Sequence, residues 1–135
     1  MKRTLTVMLS VLAVSSLLGL AVDSRAQAAC STASLKGTFG LTCQGTFGGE
    51  PAAEVGIATY DGKGKVSGKS TISVNGTITK GVEFSGTYTL QADCTGSASF
   101  LDGSQLDIVL DAHRSELRAI ATVGGTMYTC LKKKQ

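Results

Sequence analysis

From residue 35 onward, apolar side chains recur at every second position, the period of a strand with one buried face. Leu35, Phe39, Leu41 and Cys43 share one phase, against Lys36, Thr38 and Thr42. Val66, Ile72 and Val74 oppose Lys65, Lys69 and Thr71. Val82, Phe84, Tyr88 and Leu90 oppose Glu83, Ser85, Thr87 and Gln91, and Leu106, Ile108 and Leu110 oppose Asp107 and Asp111. No stretch after residue 28 sustains a helical period. Turn chemistry separates the runs: Asp61-Gly62-Lys63-Gly64, Asn75-Gly76, Asp102-Gly103 and Gly124-Gly125 suit tight hairpins, with further connections at 93–96 and 112–115. The pattern predicts eight strands, near 35–44, 54–60, 65–74, 82–91, 96–101, 105–111, 116–122 and 126–131. Short connections make neighbours antiparallel. An all-β, up-and-down barrel of about eight strands follows, since closure removes sheet edges. A two-layer β-sandwich is the alternative.

The first residues follow another rule. Lys2 and Arg3 precede an uncharged, mostly apolar run from Leu5 to Val22, and Ala26-Gln27-Ala28 supplies small residues at an A-x-A site. This is the order of a secretory signal peptide. The expected organisation is a leader over 1–28 and one barrel domain over 29–135. Ser10, Ser15, Ser16 and Gly19 interrupt the apolar run and argue against a retained membrane anchor. The expected setting is the periplasm or the extracellular medium.

Export changes the reading of charge and of cysteine. The chain carries a formal net charge of +3, but Lys2, Arg3 and Arg25 against Asp23 take two of those positive charges with the leader. Lys132, Lys133 and Lys134 then read as a solvated basic end, and nothing resembles a nucleic-acid footprint. All four cysteines follow the leader, an even number in an exported domain, which suggests two disulfides. Cys30 and Cys94 fall in loops at one barrel end. Cys43 and Cys130 share the inward phase of the first and last strands, which meet on closure. Cys30–Cys94 with Cys43–Cys130 is therefore preferred, and Cys30–Cys130 with Cys43–Cys94 is the alternative. With no C-x-x-C spacing and His113 the one histidine, no metal site is expected, nor any cofactor.

Many small residues share the inward phase, among them Gly37, Gly68, Gly86, Gly96, Ala98, Ala119 and Ala121. They either relieve bending where strands crowd or leave a lumen for a ligand.

The segments Ser34-Leu35-Lys36-Gly37-Thr38-Phe39-Gly40, Val55-Gly56-Ile57 and Tyr60-Asp61-Gly62-Lys63-Gly64, with Cys30-Ser31, Ser73-Val74-Asn75-Gly76, Phe84-Ser85-Gly86-Thr87-Tyr88 and Asp93-Cys94-Thr95-Gly96, form a recognisable set. Together they resemble the exported bacterial proteins described as allene oxide cyclase barrel-like, which are grouped with the calycin-type barrels. The resemblance runs from about residue 30 to 100. It implies the barrel fold and an envelope or secreted setting. It carries over no catalytic residue, because no active-site motif of the plant enzymes maps onto these positions.

Motifs for chemistry are sparse. His113 lies near Asp111 and Ser115, but no nucleophile elbow accompanies them. Gly68-Lys69-Ser70 lacks the earlier glycine and the following helix of a phosphate-binding loop. The carboxylates Glu50, Glu54, Glu83, Asp107, Asp111 and Glu116 fall mostly in the outward phase. The leading expectation is a noncatalytic barrel that binds a small apolar ligand or a partner protein. A cyclase or isomerase would need an apolar pocket with a buried polar group, for which Glu54, Glu83 and Tyr88 are the candidates. A homo-oligomer would use an outward patch of Val109, Ile120, Met127 and Leu131.

Overall fold

A computed structural model describes residues 29–135; the expected leader, 1–28, lies outside the described residues. After a short 3-10 turn at Thr32–Ser34 the chain runs through eight strands: β1 (Lys36–Phe47), β2 (Glu50–Asp61), β3 (Lys65–Val74), β4 (Thr77–Leu90), β5 (Thr95–Phe100), β6 (Gln105–Leu110), β7 (Glu116–Ala121) and β8 (Met127–Lys134). Each pairs antiparallel with its sequence neighbours, and β1 pairs with β8, closing the barrel. The strand rhythm thus builds the up-and-down barrel and not the sandwich.

The turns obey their residues. Asn75 and Gly76 both take positive φ, as a type I′ hairpin requires. At 102–103 and 124–125 only Gly103 and Gly125 do so, and the loops are wider than the two-residue turns expected there. Four connections are tied by an aspartate that accepts backbone N–H bonds from just downstream: Asp61 from Lys63 and Lys65, Asp93 from Thr95, Asp102 from Ser104, and Asp111 from His113, Ser115 and Glu116. These bonds hold the Asp61, Asp93 and Asp111 carboxyls below the usual carboxylate range; for Asp111 burial works the other way, and the bonds outweigh it.

Both preferred disulfides are present, Cys30–Cys94 and Cys43–Cys130. The first clamps the segment before β1 to the β4–β5 connection. The second joins directly opposed residues across the β1–β8 seam.

One end of the barrel is solid. Leu35, Phe39, Tyr60, Tyr88, Leu110 and Leu117 are all buried there. Phe39 meets Tyr60 edge-on at 5.5 Å between ring centroids, and Tyr60 meets Tyr88 at 5.2 Å. The Tyr88 hydroxyl donates to the Leu35 carbonyl at 2.6 Å and accepts from the Gly62 N–H at 2.9 Å. Tyr88 therefore fastens the segment before β1 and the β2–β3 turn over that end of the barrel.

Two of the small inward residues explain how strands pack, and they leave no lumen of their own. A Cβ at Gly68 would strike the Phe84 ring, which lies across β3 at that point. A Cβ at Gly56 would fall 2.7 Å from the Ser70 Cβ. In both places the glycine admits a neighbour.

A candidate ligand-binding lumen

The other half of the barrel is hollow. A cavity of about 260 Å³ opens toward the β1–β2, β5–β6 and β7–β8 connections. Its apolar wall is formed by Leu41, Ile72, Val82, Phe84, Phe100 and Leu106, and the Cys43–Cys130 bridge also lines it. A wider, shallower depression of about 870 Å³ lies on the same rim against Pro51, Ala53, Ile120 and Thr129, and shares Ala121, Thr126 and Tyr128 with the cavity. The deeper space is the better site, because its walls enclose side chains whose polarity the barrel itself does not require.

Asp102, Ser104 and Thr126 line it from the loops, and Glu54, Ser70, Tyr128 and Lys132 line it from the strands. Each of the last four owes its place to strand phase. On β2 the buried positions are Ala52, Ala58 and Tyr60, which puts Glu54 on the inner side. Val55 and Ile57 are correspondingly turned out, 60% and 50% exposed. Glu54 thus departs from the outward position expected for the carboxylates. The strand's polarity is inverted because Tyr60 anchors its phase at the solid end. On β8, Tyr128, Cys130 and Lys132 alternate inward.

Lys132 corrects the picture of a solvated basic end. It is only 2% exposed, while Lys133 and Lys134 are exposed. The reason is register: β8 continues past Cys130, pairing Lys132 with Leu41 of β1 and Leu117 of β7. Its ammonium donates to the Tyr60 hydroxyl at 2.7 Å and lies 5.4 Å from the Tyr60 ring centroid and 6.0 Å from that of Phe100. Burial pushes its pKa down from 10.5 to about 8, partly opposed by the negative charge of Glu54.

Across the cavity the Tyr128 hydroxyl donates to Glu54 at 3.0 Å. Burial raises the Tyr128 pKa, and the carboxylate beside it raises it further. Ser70 is 4% exposed, and its hydroxyl finds no hydrogen-bond partner among the described residues. It sits where the β3–β4 register slips: Ser70 faces Val82, Thr71 faces Lys80, and Gly81 between them takes a φ of +69°. Such a bulge bends its strand and re-aims the side chains around it.

The three pocket candidates of the sequence separate. Glu54 lines the cavity. Tyr88 lies in the solid end with its hydroxyl engaged. Glu83 is exposed on β4, opposite Lys69 in the register. Ser70, Tyr128 and Lys132 were not singled out as site residues. The available signal was the inward phase of Cys130, which carries two residues either way to Tyr128 and Lys132. His113 is exposed in a turn, and the Asp111 carboxylate beside it is engaged by that turn's backbone. Val109, Ile120 and Leu131 are exposed on the outer face, while the Met127 side chain lies outside the described residues.

No family model and no curated protein matches the chain. Among solved structures, a de novo designed fluorescence-activating β-barrel is similar, at 8% identity over 74% of this chain and 93% of that one, with a TM-score of 0.47.

Proposed function

We propose that the domain is an exported barrel that binds a small, mainly apolar molecule in its open half. One observation carries this reading. An apolar cavity, open at one end, holds a hydroxyl that nothing in the described fold satisfies, beside a buried amine and a carboxylate–tyrosine pair. Buried polar groups without partners destabilise a fold, by about 1–3 kcal/mol each. A barrel built only for stability has no use for them. Pockets that bind small molecules combine apolar walls with a few convergent polar groups. The cavity lies just below the roughly 300–1,000 Å³ usual for such sites, which favours a compact ligand. The sequence resemblance to allene oxide cyclase barrel-like proteins is consistent with this setting. So are the leader-like residues and the two disulfides, which suit an oxidising compartment.

The test is a protein-observed NMR titration with hexanol and octanol. Amide shifts are expected at Ile72, Val82 and Leu106 in the wall, and Val82→Trp, which fills the cavity, should abolish them. Shifts confined to the outer face would overturn the reading.

A second reading, a cyclase or isomerase, is favoured by the Glu54–Tyr128 pair, an acid and a phenol held together in an apolar site. Ligand recovered chemically unchanged from the protein would decide for binding alone.

A further inference from the structure

We propose that Lys132 captures small apolar aldehydes as a Schiff base, its amine being held between the Tyr60 and Phe100 rings at the inner end of the open cavity. This rests on the lumen reading above and adds covalent chemistry to it.

The geometry first shows that, among the described residues, no ion pair holds this charge in place. An ammonium offers three donors, and the structure shows one taken, by the Tyr60 hydroxyl. Among the described residues the one ion pair joins Arg118 to Glu116 at the surface, so no carboxylate is within ion-pair distance of Lys132. Leucine or methionine would fill the place between Leu41 and Leu117 without a buried amine. A lysine desolvated by an apolar pocket is instead a nucleophile, because the environment favours the neutral amine that attacks carbonyl carbon. The lowered pKa of about 8 agrees, since burial shifts Lys132 toward the neutral amine.

The surroundings suit the remaining steps. The amine nitrogen forms a bond to the carbonyl carbon, and a proton passes from nitrogen to oxygen, giving a carbinolamine. The carbon–oxygen bond then breaks, and the oxygen leaves as water with the second proton from nitrogen. The net change is amine plus aldehyde to imine plus water, with no oxidant or reductant. Glu54, whose charge acts on Lys132 from beyond ion-pair distance, favours the protonated form of the imine. The Tyr128 hydroxyl on Glu54 and the unpartnered Ser70 hydroxyl are the groups that can exchange protons with the departing oxygen. The apolar wall selects the rest of the molecule, so the class is a small aldehyde with a hydrocarbon tail. The open rim lets water leave.

The first arm of the experiment uses the wild-type protein. The purified protein is incubated with hexanal and cyanoborohydride, and the trapped adducts are located by peptide mapping. Every other lysine of the described domain is exposed, so Lys133 and Lys134 serve as standards within the same peptide region. Labelling of Lys132 should exceed that of Lys133 by at least about tenfold at early times, as expected for a desolvated amine. Lys132→Arg, which keeps the charge but cannot form an imine, should lose this adduct. Equal labelling of Lys132 and Lys133, with hexanol still entering the cavity, overturns the covalent inference and leaves the binding reading standing. If neither hexanal nor hexanol enters, both fail.

Discussion

The two halves of this barrel are built from the same strands and obey different rules. At the solid end, Leu35, Phe39, Tyr60, Tyr88 and Leu117 fill the interior, and the polar atom of Tyr88 is answered by backbone partners. At the open end, the same inward phase delivers Glu54, Ser70, Tyr128 and Lys132 among apolar neighbours, and the Ser70 hydroxyl has no answer within the described fold. The Lys132–Tyr60 hydrogen bond marks the boundary between them. One end is organised for stability. The other gives up stability, which is the pattern expected where a site has been placed on a scaffold.

The strongest way to break this contrast is to remove one aromatic ring from each half. Phe39 is 1% exposed and packs edge-on against Tyr60. Phe39→Ala should lower stability by about 3–5 kcal/mol, because it opens a void in closed packing. Phe84 is half-buried and already borders the cavity. Phe84→Ala enlarges an existing space and should lose no more than about half as much, since the cost follows new cavity surface. Urea unfolding of both variants measures this. Equal losses would mean that the two ends are packed alike.

The contrast also separates what was legible in the sequence from what was not. Strand number and the inward places of much of the solid end follow from two-residue alternation of strong apolar residues, as in Leu35-x-x-x-Phe39-x-Leu41-x-Cys43, and the same phase favours closure and the observed cystine pairs over the sandwich and the other pairing. The site does not, because it is made of violations of that alternation. β2 presents Val55 and Ile57 to solvent and Glu54 to the interior, so hydrophobicity alone reads its phase backwards. The Gly81 bulge shifts the β3–β4 register beside Ser70, which no count of alternating residues reveals. Lys132 was masked by its neighbours: three consecutive lysines look like a tail, although the phase of Cys130 continues to the first of them. Tyr88 shows the opposite case, a polar-tipped aromatic that alternation places inward and whose hydroxyl is engaged by the turn at Gly62 and by the Leu35 carbonyl.

A middle-sized effect sharpens the boundary itself. The Lys132 pKa is depressed, so between about pH 8 and 10.5 the unfolded chain binds more protons than the folded one. Stability therefore rises with pH through that window, and the penalty is present in full below about pH 8. Tyr60 and Tyr128 are shifted upward by burial, so above about pH 10 the unfolded chain releases tyrosine protons that the folded chain keeps, and stability falls again. Wild-type stability should peak between about pH 8 and 10. Lys132→Met removes the buried amine and should raise stability near pH 7 by ~1–3 kcal/mol while flattening the rise toward pH 9. Chemical denaturation across pH checks both. A variant less stable than wild type near pH 7 would show that Lys132 is a structural tie and would place it in the solid half.

The smallest expected effect is the most discriminating. Ser70 is buried, its hydroxyl lacks a partner in the described fold, and it borders the cavity. In a purely structural barrel, Ser70→Ala relieves an unsatisfied group and should be neutral or stabilising by under about 1 kcal/mol, with no other consequence. In a binding barrel the same change gains that stability and loses the hydroxyl's bond to a bound alcohol or carbonyl, a drop of several-fold in affinity for a net hydrogen bond of about 1 kcal/mol. Gly56 crowds the Ser70 backbone and Cβ, so a larger residue at 70 would disturb the strand pairing, and alanine is the clean substitution. Thermal unfolding with and without hexanol reads both quantities on one sample. A more stable Ser70→Ala protein that binds hexanol less tightly ties the polar residues of the open half to its ligand. Unchanged affinity would detach Ser70 from the site and leave its buried hydroxyl to the strain of the neighbouring bulge.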